Sequence, residues 1–141
     1  MNAPQPMNIL FLENDADTRE MVTVLLKQSN IDVVPTDRAG EVLRLMDSKP
    51  FDAFLLDGMA PEDSSIRLCR ILKSQFPRTP VIFYSGEGYA SSIERAMAAG
   101  ATAYLVKPFH GDLAREIINY VRAPTVASGA PGDSYHSGSF K

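Results

Sequence analysis

Five short apolar runs, each followed by residues with helical apolar spacing, set the rhythm of the chain. The runs are Asn8-Ile9-Leu10-Phe11-Leu12, Ile31-Asp32-Val33-Val34, residues 51–56, Val81-Ile82-Phe83-Tyr84 and Ala103-Tyr104-Leu105-Val106. Apolar runs of this length, bounded by turn signals, predict strands buried on both faces of a parallel sheet. Between them the period lengthens. Met21, Val22, Val24 and Leu25 predict a first helix that runs to about Ser29, with cap residues in Glu13-Asn14-Asp15-Ala16-Asp17. Val42, Leu43, Leu45 and Met46 form the stripe of a second helix, Ala39 to about Ser48, stopped by Lys49-Pro50. Ile66, Cys69, Leu72 and Phe76 mark a third, capped by Ser64 or Ser65. Ile93, Ala96 and Met97 mark a fourth over roughly 90–98, with Gly100 as its C′ residue. Leu113, Ile117, Ile118 and Val121 mark a fifth over 111–122. Strand and helix alternate five times. The prediction is an α/β fold with a parallel sheet, helices on both faces and right-handed crossovers.

The ends have a different character. Residues 1–6 are Pro-rich and read as a flexible leader. From residue 123 to 141 the chain is rich in Gly, Ser, Ala and Pro without periodicity, which predicts a disordered tail. The body, 7–122, is one domain, as 141 residues would suggest.

Composition narrows the function classes. Hydrophobic residues make up 45% of the chain, enough for one core. Fourteen Lys and Arg against seventeen Asp and Glu give a net charge of −3, which gives general nucleic-acid binding no support. Cys69 is the single cysteine, so an internal disulfide is impossible and a reducing compartment fits. The N-terminus lacks a signal peptide's basic and apolar regions, and no run approaches the roughly 20 apolar residues of a membrane span. The expectation is a cytoplasmic protein.

The chemistry gathers at the strand ends. In an open parallel sheet, ligands sit outside the carboxyl ends of the strands. Those ends are Glu13-Asn14-Asp15, Asp57, Ser85 and Lys107. Oxygen ligands of this kind suit a hard cation such as Mg²⁺. A carboxylate can attack phosphorus to give an aspartyl phosphate, with a lysine and a hydroxyl offsetting charge on the phosphoryl oxygens. Taken alone, Asp57 would read as a cap, and Glu13, Asn14 or Asp15 as caps of the first helix. Lys107 and Ser85 at matching strand ends favour a site. The strand-1 loop has no glycine, which argues against a phosphate-cradling loop and hence a flavin or nucleotide binder.

Taken in order, the acidic turn after the first strand, Asp57-x-x-x-Pro61, Ser85 followed by Gly86, and Lys107-Pro108-Phe109 resemble the receiver domain of two-component response regulators. The resemblance covers about residues 7–122. It implies a flavodoxin-like (βα)5 three-layer sandwich with parallel strand order 2-1-3-4-5. By position it implies Asp57 as phosphoacceptor, Lys107 and Ser85 as partners of the phosphoryl group, and Ser85 and Tyr104 as switch residues. It implies Mg²⁺ held by Glu13, Asn14, Asp57 and the backbone carbonyl of Met59, and a cis Lys107–Pro108 bond. The implied phosphodonor is a histidine kinase or phosphotransfer protein. With no output domain after residue 122, signalling would pass to a downstream protein partner, without direct contact to nucleic acid or membrane; a second copy of the chain is a further candidate partner. The implied role is signalling, with phosphorylation and dephosphorylation as the only chemistry.

Two departures qualify this. The family's adjacent pair of aspartates is Glu13-Asn14 here, so one negative charge is missing and a weakened Mg²⁺ site is expected. Ser64-Ser65 replaces a glycine after Pro61. Asn14 therefore keeps an alternative open, a phosphorylation-independent interaction scaffold built on the same fold.

Overall fold

The computed structural model describes residues 5–58, 64–109 and 111–123. The sequence expectations for Met59, for the start of the leader and for residues 124–141 lie outside these. In chain order the elements are β1 (Met7–Leu12), α1 (Ala16–Lys27), β2 (Ile31–Thr36), α2 (Ala39–Leu45), β3 (Ala53–Leu56), α3 (Ser64–Gln75), β4 (Val81–Ser85), α4 (Ala90–Ala98), β5 (Ala103–Val106) and α5 (Leu113–Arg122). The strands form one sheet in the order β2-β1-β3-β4-β5, every pair parallel. This is the flavodoxin-like doubly wound order.

The pleat divides the core. Ile9, Phe11, Ala53, Leu55, Ile82, Tyr84, Ala103 and Leu105 point to the side covered by α1 and α5. Leu10, Leu12, Phe54, Leu56, Phe83, Tyr104 and Val106 point to the side covered by α2, α3 and α4. Strands buried on both faces explain why the sequence shows continuous apolar runs instead of alternation.

Several expectations needed correction. The stripe read for α1 is out of phase. Met21, Val24 and Leu25 are 57%, 54% and 43% exposed, while Val22 and Leu26 are fully buried. The helix carries more apolar surface than it covers, so periodicity alone marks the wrong strip. In α2 only Val42 is buried and Leu43 is exposed, and the helix ends at Leu45, before the expected Ser48. β2 runs on through Pro35 to Thr36, which its edge position tolerates. Ser64 and Ser65 are helical residues of α3. Ser65 does not cap; its hydroxyl donates to the Asp57 carbonyl at 2.6 Å. Gly100 has a φ of 104°, as a C′ residue requires. Cys69 is buried between α3 and α4, with its thiol 3.5 Å from the Ala99 carbonyl. Burial pushes that thiol up to about 12.

Candidate functional site

Backbone hydrogen bonds carry the sheet one residue past the strands and fix the rim. Glu13 N–H donates to the Thr36 carbonyl at 3.0 Å, Asp57 N–H to Leu12 at 2.9 Å and Lys107 N–H to Ser85 at 2.7 Å. β1 and β3 pair Leu12 with Leu56, and β3 and β4 pair Leu56 with Phe83. One residue on, Glu13, Asp57 and Tyr84 therefore form a row on one face of the sheet, since side-chain direction alternates along each strand. Lys107, two residues beyond Leu105, shares the parity of that face. Ser85 points to the other face.

The side chains converge. Lys107 Nζ lies 2.8 Å from Glu13 Oε1 and 3.5 Å from Asp57 Oδ1. The ammonium also lies over the Tyr84 ring, 5.2 Å from its centroid. Glu13, Asp57, Tyr84 and Ser85 are all buried. Burial raises the Glu13 carboxyl above its ordinary value, against the opposing pull of Lys107 and of the Asp15 N–H, which donates to Glu13 Oε2 at 3.1 Å. Burial likewise raises the Tyr84 hydroxyl.

The residues expected at the rim do not all face the same way. Asn14 and Asp15 are exposed. Asp15 is the N-cap of α1, accepting from Thr18 N–H at 2.9 Å and from its hydroxyl at 2.7 Å. Those bonds to Thr18 hold the Asp15 carboxyl below its ordinary value. Ser85 Oγ accepts from Glu87 N–H at 3.1 Å. Tyr104 is buried, stacks in parallel on Phe83 at 5.7 Å and donates its hydroxyl to the Glu87 carbonyl at 2.6 Å. The Lys107–Pro108 bond is cis, as expected.

Three contributors escaped the sequence reading. Ser65 grips the Asp57 backbone and Tyr84 faces Lys107. Gly58 makes room for Ser85, because a Cβ there would stand 2.9 Å from both Cβ and Oγ of Ser85. The signal for Gly58 is its place directly after Asp57; the signal for Tyr84 is its parity with Lys107.

The donors suit a hard cation in kind: two carboxylates, Glu13 and Asp57, and the amide oxygen of Asn14. Among the described residues no three His, Cys, Asp or Glu side chains form a metal cluster. Both Glu13 oxygens are already engaged. A cation here would draw on a donor set poor in charge. A cavity of about 40 Å³ beside Gly58, Phe83, Glu87 and Tyr104 holds solvent at most, far short of a flavin or nucleotide. Among the described residues, no helix is long and apolar enough to cross a membrane.

Comparison with known proteins agrees with this geometry. Residues 9–119 match the family described as response regulator receiver domain. The chain is 32% identical over 106 residues to the cell cycle transcriptional regulator CtrA of Caulobacter vibrioides, covering 75% of this chain and 46% of that protein. It thus spans about half the length of the curated relatives it matches. A response regulator receiver domain protein from Clostridium thermocellum superposes with a TM-score of 0.74 at 26% identity, over 82% of this chain and 94% of that one. The chemotaxis response regulator CheY4 of Vibrio cholerae superposes with a TM-score of 0.73 at 23% identity, over 82% and 98% of the two chains, a likeness of fold alone.

Proposed function

Because the chain belongs to the response regulator receiver domain family, we propose that Asp57 is its phosphoacceptor, loaded by a phosphohistidine on a histidine kinase or phosphotransfer protein. The observation that carries this reading is the convergence of Asp57, Lys107 and Glu13 at adjoining strand ends, with Ser85 at the next. An Asp57 carboxylate oxygen attacks phosphorus and forms the acyl phosphate bond. The phosphorus–nitrogen bond to histidine breaks, and the electron pair leaves with the imidazole, which ends neutral because its other ring nitrogen carries a proton. Lys107 offsets the charge on the phosphoryl oxygens, and the Ser85 hydroxyl donates to one of them. The backbone bonds that pin Asp57 to Leu12 and Ser65 keep the nucleophile in place.

Glu13, Asp57 and the Asn14 amide oxygen would hold Mg²⁺, with the Met59 carbonyl as the further ligand the family pattern supplies. When bound, the cation neutralises phosphoryl charge. Ser85 now accepts from Glu87 N–H, and Tyr104 donates to the Glu87 carbonyl. Once Ser85 turns to the phosphoryl group, that pair of contacts is disturbed, and the loop before α4 with it. The readout surface is then the α4 and β5 side, offered to a protein partner or to a second copy of the chain. Cytoplasmic residence fits a partner of this kind.

The test is intact-mass measurement after incubation with acetyl phosphate and Mg²⁺, beside Asp57→Asn. A phosphoryl addition to the parent protein that is absent from the variant is the expected result. No Asp57-dependent addition even at high Mg²⁺ would reject the reading and leave the scaffold that Asn14 favours.

A further inference from the structure

Lys107 is held by more than its carboxylate partners. Its ammonium sits over the face of Tyr84, 5.2 Å from the ring centroid. Tyr84 is only 7% exposed, and its ring packs in the layer beneath α1 and α5. A cation over an aromatic face gains most where water is excluded. The ring's place follows from the sheet. Tyr84 pairs with Leu105, and Lys107 is two residues on, the diagonal neighbour on the same face. Phe109, two residues past Lys107, packs against the same apolar layer as the Tyr84 ring. Tyr84 thus lies under the lysine's ammonium and shares a layer with the segment that follows the lysine. The ring is thus a third contact of the ammonium, beside the carboxylates of Glu13 and Asp57.

We propose that Tyr84 is a positioning residue for the phosphoryl-transfer site, its ring face holding the Lys107 ammonium between Glu13 and Asp57. This deepens the reading of Asp57 as phosphoacceptor and rests on it. The ring, more than the hydroxyl, carries the role. Without it the long lysine side chain samples other rotamers, and the charge meant for the phosphoryl oxygens is in place less often.

The experiment compares the parent chain with Tyr84→Phe and Tyr84→Leu. The first readout is the ε-methylene resonance of Lys107, assigned by its loss in Lys107→Arg. A ring beneath it shifts this signal upfield in the parent and in Tyr84→Phe, and Tyr84→Leu returns it to the position of an exposed lysine. The second readout is the rate of Asp57-dependent phosphoryl addition from acetyl phosphate. Tyr84→Phe is expected to stay within about twofold of the parent, while Tyr84→Leu falls by roughly five- to thirty-fold, as loss of a desolvated cation–π contact implies. Amide spectra establish that each variant is folded. If Tyr84→Leu is not, the parent and Tyr84→Phe resonances decide. An unshifted Lys107 resonance in the parent overturns the proposal, as does a Tyr84→Phe rate as low as that of Tyr84→Leu. Absence of phosphoryl addition in the parent overturns the Asp57 reading, and the reactive role of Tyr84 with it, whereas an unshifted resonance overturns Tyr84 alone.

Discussion

In the proposed Mg²⁺ site, Asn14 sets the charge offered to the cation. Glu13 and Asp57 supply carboxyl groups, Lys107 pairs with both, and the third position of the proposed donor set is a neutral amide. Asn14→Asp adds a carboxylate where the strand-1 turn opens to solvent. It is expected to tighten Mg²⁺ binding by roughly tenfold, since affinity in oxygen sites follows ligand charge. Calorimetric titration of the two proteins, without any phosphodonor, measures the difference. Equal affinity would remove Asn14 from the ligand set. At this scale the sequence is legible where chemistry interrupts a pattern. Asp57, Ser85 and Lys107 each stand at the end of an apolar run, so each is legible as a candidate. Tyr84 carries no such signal, because it reads as one more apolar member of its strand. Ser65 reads as a cap because serine near a helix start usually is one. Its actual partner, the Asp57 carbonyl, comes from a different element.

Among the elements, α1 separates apolar character from burial. Its sequence offers Met21, Val22, Val24, Leu25 and Leu26, of which only Val22 and Leu26 are buried. Two neighbours should therefore respond in opposite ways. Leu26→Ala empties a fully buried position and is expected to cost about 2–5 kcal/mol. Leu25→Ala changes a position 43% exposed and is expected to stay within about 0.5 kcal/mol. Urea unfolding of the two variants separates them, and a large loss at Leu25 would mean that the helix phase is wrong. The strands were easier to read because burial on both faces leaves no phase to mistake. Their boundaries moved by one or two residues, as at Pro35-Thr36, where edge geometry admits a proline that sequence rules treat as a stop.

For the molecule as a whole, the alternation of five runs with five helical stretches was enough for the parallel α/β class. The strand order came from the likeness of motifs in the chain to a family, because no local pattern encodes which strand lies beside which. The two apolar layers lie on opposite faces of the sheet, and one of them contains Cys69. It is the only thiol in 141 residues, sits at full burial between α3 and α4, and is kept protonated by its surroundings. A thiol-directed reagent can react only when that layer lifts from the sheet. The rate at which an alkylating label accumulates on the native protein is then a single-atom clock for opening of the α3–α4 layer. It should slow in step with the free energy of opening that layer, and it needs no engineered probe.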